Sequence, residues 1–144
     1  MADSNSFVYN WAPRLLSVLR IISGFLLLAH GTQKVFRWPA APPAPGAPPP
    51  AAFNLFSLIG LAGVLELVGG ILLILGLFTR PTAFILSGLM AVAYFMAHAT
   101  QGFWPILNRG ELAVLYCFVF LYLAAAGGGE WSLDRLLGRD RSVR

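Results

Sequence analysis

The stretch GVLELVGGILLILG, residues 63–76, decides the fold. It lies within a run over 55–78 whose 24 residues carry a single charge, Glu66. Roughly 20 apolar residues at about 1.5 Å each cross the hydrocarbon core of a bilayer. The run is long enough to span, and its lone carboxylate is costly in lipid unless it serves a purpose.

Three more segments have the same character. The spans expected from the sequence are 15–36, 55–78, 82–101 and 106–126. Pro13, Pro81 and Pro105 precede the first, third and fourth, where a missing N–H suits a helix start. Trp11, Trp38, Trp104 and Trp131 all fall at span ends, the position of an aromatic belt. Composition agrees: 58% of the 144 residues are apolar and 11% charged, against about 45–50% and about 25% in soluble domains. No cleavable signal is evident, because the first apolar segment is long and no small-x-small site follows it. The fold class expected is therefore all-α: an integral membrane four-helix bundle, one membrane domain over 1–144.

The positive charge is a topology signal. The short FTRPT link makes the second and third spans an antiparallel hairpin, so four spans put both termini on one side. Arg14, Arg80, Arg135, Arg139, Arg141 and Arg144 fall on that side, and Lys34, Arg37 and Arg109 on the other. By the positive-inside rule both termini are expected in the cytoplasm. The arginines form no basic stripe of the kind nucleic acid requires, so no nucleic-acid partner is expected. One cysteine, Cys117, excludes an internal disulfide and a Cys-rich metal or cluster site. Residues 38–52 hold seven of the ten prolines and read as an extended, solvated external loop. Residues 130–144 read as an interfacial cytoplasmic tail, with Ser132 as N-cap of a short helix and arginines facing anionic headgroups.

The polar residues inside the spans converge. Ala62, Gly63, Gly69 and Gly70 lie three or four residues from Glu66 and make a small face that admits a neighbouring helix. Ser17, Gly24 and Gly31 form a similar stripe on the first helix, beside Arg20 and Lys34. On the third helix Ser87, Ala91, Tyr94, His98 and Gln101 share one face. Side chains lean toward the N-terminus of their helix. Glu66 then leans outward from the midplane, while His30 and His98 lean inward to meet it. A polar pocket in the outer half of the bundle is expected, with Glu66 as floor, His30 and His98 as walls, and Lys34 and Glu111 at the mouth. Tyr94 belongs to the same ligand-binding or proton-exchange set. Arg20 either snorkels to the inner headgroups or forms a structural ion pair with Glu66. No ligands share a tight local spacing, so no metal is expected.

The strings HGTQK (30–34), ELVGGILLILGLFTRPTA (66–83), MAHATQGF (96–103), NRGELAVLY (108–116) and GGGEWSLD (127–134) resemble the DoxX family of small four-helix bacterial membrane proteins. The likeness covers about 14–137 and leaves the proline-rich loop as an elaboration. It implies a multi-pass protein of the bacterial inner membrane. It also implies a link to thiosulfate:quinone oxidoreduction or to other membrane-associated redox complexes. His30, Lys34, Glu66, His98 and Glu111 match the recurrent polar positions. No flavin, haem or iron–sulfur signature is present, so no intrinsic cofactor is expected and a bound quinone is the candidate carrier. Three functions are in contention: accessory subunit of a larger redox-linked membrane complex, with other membrane subunits and lipid as partners; quinone- or small-molecule-binding redox subunit using the Glu/His pocket; and small proton-coupled transporter.

Overall fold

The computed structural model describes residues 4–40, 42 and 52–139. Most of the proline-rich segment and residues 140–144 of the tail lie outside the described residues. Within them the chain is helical, with no strand. Its helices are α1 (Ser4–Phe36), α2 (Leu58–Leu75), α3 (Thr79–Ala93), α4 (Pro105–Asn108), α5 (Glu111–Ala126) and α6 (Leu133–Leu136). Between α3 and α4 the helix continues as a π-turn over Tyr94–His98 and a 3₁₀ turn over Ala99–Gln101.

Three helical stretches are long and apolar enough to cross a membrane: Phe7–Phe36, Leu58–Leu75 and Thr79–Gln101. The fourth apolar helix, α5, has 16 residues, and α4 precedes it across a break at Arg109–Gly110. That break was not anticipated; Arg109 takes a left-handed φ of 59° there. Likewise α1 begins well before residue 15 and runs through Pro13, at the cost of one backbone hydrogen bond.

Local signals set the ends of α2. Ser57 caps its start, accepting from the Gly60 N–H at 3.0 Å. Gly76 ends it in the left-handed region at φ 66°, where a glycine carries no Cβ penalty. The start of α3 is capped from far away. The Asp134 carboxylate accepts from Phe78 N at 2.8 Å and Thr79 N at 2.7 Å. Ser132 does cap the short C-terminal helix, accepting from Arg135 N at 3.2 Å.

The four long helices run up-down-up-down. α1 packs antiparallel on α2, and α3 on α5. The small faces on α1 and α2 meet as expected. A Cβ on Gly31 would stand 2.5 Å from the Leu67 backbone nitrogen, and one on Gly70 2.9 Å from the Gly24 carbonyl oxygen. Gly31→Ala is therefore expected to push α1 off α2 and cost about 1–3 kcal/mol. A lowered Tm in detergent checks this; an unchanged Tm would show that the two backbones are not in contact. Leu27, Leu73, Leu86, Met90, Phe120 and Leu123 fill the centre. Outward-facing Phe25, Ile59, Phe84 and Phe118 are more than half exposed, as side chains bathed in lipid would be.

One end of the bundle is tied by buried polar groups. It gathers the α2–α3 turn, the first half of α1 and the 127–134 segment. Arg20 lies here, fully buried. It neither snorkels nor pairs with Glu66. Its guanidinium donates to Gly128 O at 2.8 Å, to Ile74 O at 2.9 Å, and to the carbonyls of Leu73 and Trp131. The ion-pair expectation fails because the guanidinium instead donates to carbonyls of the last turn of α2 and of the returning 128–131 segment. Those carbonyls need donors in any case. Ser17 completes the tie, accepting from Trp131 N at 3.0 Å. Arg14 and Glu130 pair at 2.9 Å beside it. Arg80, counted above as a topology residue, donates to the carbonyls of Ala124, Ala125 and Ala126 at the end of α5.

Candidate functional site

At the opposite end a cavity of about 250 Å³ opens among all four long helices. α1 supplies Leu27, His30 and Lys34; α2 supplies Glu66; α3 and its π-turn supply Met90, Ala93 and His98; and Arg109, Leu112, Ala113 and Tyr116 close the remaining side. Four residues singled out in the sequence, Glu66, His30, His98 and Lys34, thus line one space.

Glu66 is 3% exposed. Its Oε1 accepts from Lys34 Nζ at 2.5 Å. Lys34 sits in the last turn of α1, where a cation also meets the negative end of the helix dipole. The second carboxylate oxygen, Oε2, is buried and has no hydrogen-bond partner among the described residues. A buried, unpaired carboxylate oxygen is expensive, and native structures rarely keep one without a reason.

His98 is held in a defined orientation. Its Nδ1 is 2.9 Å from the Asn108 carbonyl oxygen. A carbonyl only accepts, so Nδ1 carries the proton, and Nε2 of the neutral ring is an acceptor. Tyr94 stacks on the ring with centroids 6.4 Å apart and planes at 22°. The π-turn brings both onto this side, and such turns recur at functional sites. Asn108, 1% exposed, organises the loop behind. Its Nδ2 donates to Gly102 O at 2.7 Å, and its Oδ1 accepts from Gly110 N at 2.8 Å. His30 lines the cavity but is itself exposed, and its side chain has no hydrogen bond among the described residues.

Two expected site residues fall elsewhere. Glu111 is exposed at the first turn of α5 and does not line the cavity. The break at Arg109–Gly110 separates α5 from α4, and an acidic residue there suits the N-terminal dipole. Tyr94 also stands outside the lining; it supports His98, and its hydroxyl donates to Phe103 O at 3.2 Å. Conversely, Tyr116 lines the cavity without having been chosen, and Arg109, an outer-side charge in the sequence reading, lines it as well. Tyr116 shares a helix face with Leu112 and Ala113, four and three residues earlier, but a tyrosine there reads equally well as packing. Among the described residues no three His, Cys, Asp or Glu side chains gather to hold a metal ion.

These features define a small multi-pass helical membrane protein with a polar cavity built around a buried, half-satisfied carboxylate. The chain belongs to the DoxX family, whose model matches residues 15–99. It is 45% identical over 131 residues to an uncharacterised protein of Haemophilus influenzae, covering 86% of this chain and 91% of that one. It is 32% identical over 164 aligned residues to an uncharacterised membrane protein of Mycobacterium tuberculosis, covering 96% and 95%. A second uncharacterised Haemophilus influenzae protein is 38% identical over 72 residues, half of this chain. No solved structure matches the chain. Family, helices and relatives together make it a multi-pass bacterial membrane protein.

Proposed function

We propose that this DoxX-family protein is the ligand-binding membrane subunit of a redox-linked complex in the inner membrane, and that its cavity takes a hydroquinone head. The observation that carries the reading is the unpartnered Glu66 Oε2 in a cavity that His98 also lines. Both are acceptors, so the fitting ligand donates. A dihydroxy aromatic ring offers two O–H groups, one for Glu66 Oε2 and one for His98 Nε2. Lys34 keeps further N–H groups for the ligand oxygens. Oxidation of the hydroquinone releases two protons and two electrons. Glu66 and His98 are the groups placed to take the protons. The electrons pass to a haem- or flavin-type acceptor on a neighbouring subunit, because this chain has one cysteine and no haem motif. With the arginine-rich end in the cytoplasm, the cavity opens in the outer half of the bilayer.

The test is anaerobic calorimetric titration of the detergent-purified protein with trimethylhydroquinone, a head without a chain. Binding is expected in the wild type. In Glu66→Gln it should weaken about 10–100-fold, the value of a hydrogen bond to a charged group. Absence of binding to the wild type, or equal binding to both proteins, would rule the reading out.

A further inference from the structure

A second concavity lies beside the cavity. It is an open groove of about 620 Å³ on the outer surface between α2 and α3. Ala62 and Leu65 form one wall, Gly88 and Val92 the other, and Lys34 and His98 stand where the groove abuts the polar cavity. It runs beside residues 85–97 of the third helix, about 18 Å at 1.5 Å per residue. Val92 is 54% exposed, and a Cβ added to Gly88 would meet nothing within 4 Å. Small residues hollow the surface and larger apolar ones flank it.

We propose that this groove holds the apolar chain of a single-chain amphiphile, whose head enters the Glu66–His98 cavity laterally from the bilayer. The inference rests on the cavity reading above and adds the tail, the route and the class of ligand. Three observations favour this occupant over a helix of another subunit or a second copy. The groove borders the cavity along Lys34, Ala93 and His98, two of them polar. The cavity holds a buried acceptor still needing a donor. An apolar groove and a polar pocket that share a border suit a molecule with an apolar half and a hydrogen-bonding half. A transmembrane helix laid on the groove would cover its whole length yet leave the Glu66 oxygen unserved. Lys34 and His98 then form the sill over which the head passes, and Lys34 is tethered there by its ion pair with Glu66.

Gly88→Leu fills the groove without touching the cavity. It is also a benign change for the fold, because the site is open and leucine favours helix more than glycine does. Binding of trimethylhydroquinone and of its decyl-substituted analogue is measured on wild type and variant in the same detergent, so that micelle partitioning cancels. The variant should bind the decyl compound about tenfold more weakly, as when roughly two methylenes are turned out of the groove. Its affinity for the head alone should stay within about twofold. Equal affinity of both proteins for the decyl compound overturns the groove proposal and leaves the cavity reading standing. Loss of head binding in wild type overturns both. Weakening of both ligands in Gly88→Leu means that the groove and cavity are not separable, and overturns the proposal as well. Oligomeric state is read by mass photometry. A change of state on Gly88→Leu assigns the groove to a second copy and overturns the lipid occupant.

Discussion

Arg20→Met is expected to leave little folded protein. The side chain is fully buried, and its guanidinium serves four carbonyl oxygens: Leu73 and Ile74 at the end of α2, and Gly128 and Trp131 in the returning segment. Methionine can fill the volume but donates nothing. Hydrogen bonds from a charged donor contribute about 1.5–3 kcal/mol each. They do not add fully, since Leu73 O also accepts from Gly76 N at 3.1 Å. A loss of about 4 kcal/mol or more is expected, comparable with the whole stability of many domains. Arg20→Lys should fall in between, because an ammonium is a compact donor and cannot span the fork that the guanidinium spans. Yield, gel-filtration profile and Tm in mild detergent are the readouts. A monodisperse Arg20→Met with a Tm within about 2 °C of wild type would mean that these carbonyls are served by water, and that the tie is not structural.

This end of the molecule was the least legible in the sequence. Arg20 interacts with groups 53 to 111 residues away, and Asp134 caps a helix that starts 55 residues earlier. Both partnerships depend on the 127–134 segment folding back under the bundle. No periodicity reports such a fold-back. The helices themselves were legible because lipid imposes long apolar runs, and a run such as 55–78 has few alternatives. Their facing was legible for the same reason: Gly24, Gly31 and Gly70 can be small for close approach, and they are. The meeting of Glu66, Lys34, His30 and His98 follows from helix direction and rotation alone. Glu111 was misjudged because one unbroken helix was drawn across Arg109, whose left-handed backbone divides it. His98 was placed in the right layer without its reason. The π-turn that presents it, and the Asn108 carbonyl that fixes its proton, lie in geometry that hydropathy does not encode.

Glu66→Met is expected to improve the empty protein while abolishing its binding, a combination that separates a ligand site from a structural tie. Glu66 is 3% exposed and one of its oxygens is unpartnered. An unsatisfied buried acceptor costs about 1–3 kcal/mol, more when charged, and exchanging a buried ion pair for apolar packing is often neutral or stabilising. The usual objection is the abandoned partner. Here it has little force, because the Lys34 side chain is 33% exposed and can turn its ammonium toward water at the end of α1. Methionine is unbranched and adapts to the space left. A gain of about 1 kcal/mol is therefore expected for the unliganded protein, seen as a higher Tm. Trimethylhydroquinone should then give no heat of binding, because its acceptor is gone. If Glu66 were instead the tie that holds α1 to α2, removing it would lower Tm by several degrees and loosen the glycine interface beside it. The sign of the Tm change thus discriminates between the two roles, since only a group kept for a ligand leaves the empty protein less stable than its apolar substitute.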